Sequence, residues 1–143
     1  MCLVRYVTHP QRVNKYLLKM RKIILTIAVG CLISFALVAN IALADNEEAA
    51  SYAEDTYDYS RKARDADTLE DAQYYAHQAK SVAEDAESAA SDANNDDAAS
   101  YASDAYDYAK KAENSDNLED AQYYSHKAMD AAEDAQSAAE DAE

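Results

Sequence analysis

Residues 69–75 read Leu69-Glu70-Asp71-Ala72-Gln73-Tyr74-Tyr75, and the same seven residues return as Leu118-Glu119-Asp120-Ala121-Gln122-Tyr123-Tyr124. The shift is 49 positions, and it holds well beyond this stretch. Residues 45–94 map onto residues 94–143, carrying Tyr52, Tyr57, Tyr59 and His77 onto Tyr101, Tyr106, Tyr108 and His126. A fixed period of this length means one supersecondary unit per copy. Seven heptads make up the shift, so a helical stripe in the first copy stays in phase in the second.

Composition supplies the type of element. Residues 45–143 hold no Gly, Pro, Cys, Trp or Phe and are rich in Ala, Glu, Gln and Lys, which favours helix throughout. Spacing at 100° per residue gathers Ala49, Ala53, Thr56, Ser60 and Ala63 into a narrow seam, with Tyr52, Tyr57 and Tyr59 flanking it. Glu47, Glu54, Asp55, Asp58, Arg61 and Lys62 fall on the other side. In the next segment Leu69, Ala72, Tyr75, Ala76, Ala79, Val82, Ala83, Ala86 and Ala90 share one broad face. These are amphipathic helices by period.

Polar clusters at 64–68, 92–96 and 113–117 break the pattern. Thr68 and Asn117 each precede Leu-Glu-Asp, which reads as an N-cap followed by an acidic first turn. The expected helices are 46–64, 68–92, 96–113 and 117–142. Short connections make sequential helices neighbours. The predicted fold is all-α: an antiparallel four-helix bundle of two helical hairpins, repeat 1 at 45–93 and repeat 2 at 94–143. A long two-helix coiled coil, or a dimer of hairpins, is the alternative. Alanine seams bury little area per residue. At roughly 25 cal/mol per Å² the apolar term should therefore come mainly from Tyr, Leu69, Leu118, Val82 and Met129.

Residues 1–44 have a different composition. They hold no Asp or Glu, six of the 13 Lys and Arg, and both cysteines, Cys2 and Cys31. Arg21 and Lys22 precede an apolar run from Ile23 to Val38, and Ala42-Leu43-Ala44 offers a small-x-small cleavage site. This order reads as a signal peptide over 20–44, with 1–19 an upstream extension or a long n-region. An uncleaved anchor and lipidation at Cys31 are the alternatives. Cleavage would leave a cysteine-free protein, periplasmic or secreted, with no membrane span. The remaining 99 residues carry seven basic and 28 acidic side chains, a net charge of −21. Such acidity argues against nucleic acid as a partner and favours cations and basic molecules.

No catalytic constellation is legible. The serines lie on helical faces without a placed base, and without glycine there is no phosphate cradle. Glu-x-x-His, Cys-x-x-Cys-His and a glycine-centred EF-hand loop are all missing. What remains is His77 and His126, both on polar faces. Imidazole suits copper, zinc and nickel, and ligands four apart share a helix face. His126 has Asp130 at that spacing, with Gln122 and Met129 near it, whereas His77 has Gln73 and Ser81. The candidate metal ligands are His77, His126 and Asp130, for a divalent cation, copper or another. Tyr74 and Tyr123 project away from the alanine faces and could meet a protein partner or a second copy.

Tyr75-Ala76-His77-Gln78-Ala79-Lys80 and Tyr124-Ser125-His126-Lys127-Ala128, set in heptads ending Ala-Glu-Asp-Ala, resemble the periplasmic small metal-binding proteins of bacteria. The resemblance spans nearly all of 45–143. It implies a four-helix bundle whose surface histidines bind copper and other divalent metals. Histidine recurs throughout that family's repeat, whereas Tyr, Asp or Glu fills most corresponding slots here. Only His77 and His126 carry over, and the carboxylates should shift preference towards harder ions. The functional expectation is an exported, non-enzymatic, acidic bundle that binds divalent cations at its surface. The alternative is a structural or chaperone-like envelope protein that binds a partner through its tyrosine-bearing faces.

Overall fold

The computed structural model describes residues 44–142, which lie within one compact unit. Apart from Ala44, the segments 1–19 and 20–44 assigned above to an extension and a signal peptide fall outside the described residues. Four helices and no strand occur among those described. They are α1 (44–64), α2 (Leu69–Asp92), α3 (Asp96–Glu113) and α4 (Leu118–Glu140). No described helix is long and apolar enough to cross a membrane.

The caps fall where the sequence places them. Thr68 Oγ1 accepts from Asp71 N at 3.1 Å, and Asn117 Oδ1 accepts from Asp120 N at 2.9 Å. Each satisfies one of the amide groups that a helix start leaves without a partner. Asn95 caps α3 in the same way, its Oδ1 accepting from Ala98 N. Between α2 and α3 the chain turns on Asn94, at φ 59°. Asn95 N donates to Ala90 O at 2.9 Å and Asn94 N to Ser91 O at 3.1 Å. This pair of bonds is a Schellman closure with asparagine in the left-handed position that glycine usually takes.

The interior is alanine at every level. Ala49, Ala90, Ala98 and Ala139 form one group, and Ala53, Ala86, Ala102 and Ala135 the next. Ala83, Ala105, Ala131 and Ala132 follow, then Ala79, Ala109 and Ala128. Ala63, Ala76 and Ala112 come next, and Ala66, Ala72 and Ala121 close the far end. Residue numbers rise along α1 and α3 through this series and fall along α2 and α4. In the first two groups every member has its 49-residue counterpart, and each of the other groups holds one such pair. Where Ala53, Thr56, Ala83 and Ala86 meet Ala102, Ala105, Ala132 and Ala135, the space between them admits no water-sized sphere. Close packing of this kind leaves no slack for a larger side chain.

The bulky residues lie around this core, not in it. Among the described residues no tyrosine is fully buried; Tyr52, Tyr57, Tyr59, Tyr75, Tyr106, Tyr108 and Tyr124 are half-buried, as are Leu69, Leu118 and Val82. Phenol rings lie against the alanine groups while staying partly exposed, which suits an amphipathic ring. Lys62 stands 4.7 Å over the Tyr59 ring and Lys111 4.8 Å over Tyr108, a repeated cation–π contact. Met129 is the one large side chain among the buried residues. Ser60 and Ser125, counterparts of Ala109 and Ala76, are also buried, and neither hydroxyl has a hydrogen-bond partner.

Three polar stitches cross between the hairpins: two are related to each other by the repeat, and the third joins a pair of repeat-related positions. Gln73 Nε2 donates to Ser115 O, and Gln122 Nε2 to Ala66 O, each at 2.9 Å. At the opposite end Asn95 Nδ2 donates to Asn46 Oδ1 at 3.1 Å and to Ala138 O at 3.0 Å. These bonds satisfy loop and helix-end carbonyls that would otherwise be left open.

Candidate metal-binding positions

His77 and His126, the two histidines among the described residues, lie on the outer surface at corresponding places on the two hairpins. His77 sits in the middle of α2, half-exposed, with Nδ1 2.8 Å from Glu113 Oε1 near the end of α3. One turn further along α2, Lys80 Nζ holds the other oxygen of the same carboxylate. Partial burial pushes the Glu113 carboxyl up, but the hydrogen bonds from Lys80 and His77 outweigh it and hold the group below its ordinary value.

The corresponding place on the other side holds His126, with Met129 where Lys80 would be and Arg64 where Glu113 would be. Arg64 forks onto Asp65 through Nε and Nη2 at 2.8 and 3.0 Å, and its Nη1 lies 3.2 Å from Met129 Sδ. The hydrogen bond to Asp65 raises the Arg64 pKa and lowers that of Asp65. His126 Nδ1 is 3.7 Å from Asp130 Oδ1, one turn ahead on α4. That is beyond hydrogen-bond length but within reach of an ion lying between them.

The three predicted residues therefore divide in two. His126 and Asp130 are neighbours on one helix face; His77 stands on another helix and pairs with a carboxylate the sequence reading did not select. Among the described residues no group of three or more His, Cys, Asp or Glu side chains gathers as a metal set. Each position offers one imidazole and one carboxylate. Such donors fit a partly hydrated divalent ion, with water completing its shell, better than a closed tetrahedral zinc site. A cation flanks each pair: Lys80 beside Glu113, and Arg64 close enough to Asp130 to feel its charge.

Glu113 was missed because it lies 36 residues from His77. Its signal was present in the register. Core partners on α2 and α3 mirror each other about Asn94, as Ala90 with Ala98, Ala83 with Ala105 and Ala76 with Ala112. That reflection sends position 77 to 111, two residues from 113.

Tyr74 and Tyr123 are exposed as the sequence suggests, and Tyr101, which the sequence did not single out, is exposed as well. Tyr74 is 59% exposed and Tyr123 56%, each set edge-on against the next tyrosine at 5.3 Å between ring centres. Compared with protein families, curated proteins and solved structures, the chain gives no significant match.

Proposed function

We propose that this protein is an exported, non-catalytic, antiparallel four-helix bundle of two hairpins that binds divalent cations at its surface. The observation that carries the reading is met at both described histidines: each is half-exposed beside a carboxylate, His77 of the first hairpin with Glu113 of the second, and His126 with Asp130 on one helix of the second. The resemblance to periplasmic metal-binding bundles points the same way. A net charge of −21 over residues 45–143 enriches cations near the surface, and a cation that binds the folded form stabilises it by mass action. Metal buffering in the cell envelope is the corresponding role. His126 with Asp130 is the stronger pair, since Glu113 is already held by Lys80.

Thermal unfolding of residues 45–143 with chelator, copper and magnesium tests this. Copper should raise the midpoint more than magnesium does, and His77→Ala with His126→Ala should erase the difference. Equal rises with both ions mean diffuse charge relief and sink the reading.

The second reading, a structural or chaperone-like envelope protein, is favoured by Tyr74 and Tyr123. They are the most exposed large hydrophobic side chains among the described residues, whose other rings mostly pack down. A partner that covers them should quench their fluorescence, and Tyr74→Ala with Tyr123→Ala should abolish its capture.

A further inference from the structure

The surface between the two hairpins has the logic of a symmetric dimer. Gln73 reaches Ser115, and the counterparts of both, Gln122 and Ala66, make the same bond in the opposite sense. Asn46 meets its own counterpart Asn95. The alanine groups likewise pair Ala49 with Ala98, Ala53 with Ala102, and Ala90 with Ala139. Mutual contacts of this kind define an isologous interface. What keeps both halves in one bundle is the short connection from Ala93 to Asn95, and its reversal depends on Asn94 at φ 59°. A left-handed conformation is tolerated by asparagine and costs most other residues free energy.

We infer that two copies of this chain exchange hairpins about Asn94, giving a closed dimer in which each bundle joins hairpin 1 of one copy to hairpin 2 of the other. Opening the turn lets α2 run on towards α3, and the contacts between the two hairpins re-form between chains. Charge selects this exchange over pairing of like hairpins. Two copies of hairpin 1 would set His77 and Lys80 against Arg64, which stands where hairpin 2 has Glu113. Unlike hairpins keep Lys80 and His77 on the Glu113 carboxylate. A short connection gives an effective concentration of the order of mM, so the unaltered chain is monomeric in dilute solution and exchanges as it is concentrated.

The test uses residues 45–143, which hold no cysteine, with mass measured by light scattering from 10 μM to 1 mM (roughly the range that brackets that effective concentration). Asn94→Gly, which keeps the left-handed turn available, should remain monomeric in dilute solution. Asn94→Val should raise the dimerisation constant on the order of 100-fold, because both turns are relieved at once. Helicity should not change. In that background, chains carrying Gln73→Cys mixed with chains carrying Ser115→Cys should form an interchain disulfide, since only exchange brings those positions together. A helical Asn94→Val monomer at every concentration, or a dimer lacking that crosslink, overturns the inference. If Asn94→Val loses helicity, deletion of Asn94 and Asn95 decides the matter: a helical dimer supports exchange, and a helical monomer or an unfolded chain overturns it.

Discussion

The two hairpins agree in the interior and disagree along the rim. Inside, alanine faces alanine at most pairs of repeat-related positions; the buried residues other than alanine are Asn46, Thr56, Ser60, Ser115, Ser125 and Met129, and all but Met129 are small. On the rim, His77, Lys80 and Glu113 form a charge-paired cluster, and the matching place holds His126, Met129 and Arg64. The interior tolerates little change because four helices approach closely on methyl groups, and a change in either copy meets the same wall. The rim faces water, where a substitution disturbs one or two contacts. Duplication has therefore preserved the packing and diversified the chemistry.

The largest effect should come from filling the interior. Ala83→Phe and Ala132→Phe insert rings where no water-sized space exists and should each cost about 3 kcal/mol or more. Thermal melts should show losses of similar size. If one site accepts the ring freely, the two halves are not equivalent inside.

Removing the mismatched hydroxyls should act in the opposite direction. Ser60→Ala and Ser125→Ala replace a buried oxygen without a partner by the residue its counterpart carries, and each should gain about 1 kcal/mol. Destabilisation by either would mean the hydroxyl is satisfied in solution.

Next come the stitches between hairpins. Gln73→Ala and Gln122→Ala each leave a loop carbonyl without its donor and should cost about 1 kcal/mol apiece. Urea midpoints that differ widely between the two variants would contradict the symmetry of these bonds.

The rim contrast is sharpened by acid. Glu113 has a folded-state pKa below its ordinary value of 4.5. Its contribution is thus complete above about pH 4.5 and is lost as pH falls through the lower folded value. Glu113→Gln should be less stable than the parent chain at pH 6, and the difference should shrink as pH falls below 4.5. The cost should be under about 1 kcal/mol, since the pair is partly solvated. Arg64→Gln, its counterpart, should show no comparable acid dependence beyond the loss of the Asp65 contact. The smallest effect belongs to Tyr74→Ala and Tyr123→Ala, whose exposed rings should change stability by less than about 0.5 kcal/mol.

Much of this was legible beforehand, for identifiable reasons. Thr68 and Asn117 announced their helices because a cap is local chemistry, readable within four residues. The seam Ala49, Ala53, Thr56, Ser60 and Ala63 is buried as its period predicts. The tyrosines were expected to supply most of the apolar burial, yet they line the outside of an alanine core. Period places a residue on a face; how close two helices approach decides whether a ring lies inside or at the edge. At the candidate metal positions, Asp130 follows from spacing along one helix. Glu113 does not, because it depends on the register between two helices.

The amino-acid sequence by itself determined the helices, their ends, the duplication and the acidic surface, since each arises from interactions within a few residues or from a count. Tertiary structure alone decided that Gln73 and Gln122 cross between hairpins and that Lys80 and His77 share one carboxylate. It alone decided that Met129 lies under Arg64. Those contacts span 33 to 65 positions, and only the close fit of methyl against methyl sets the register that brings them together.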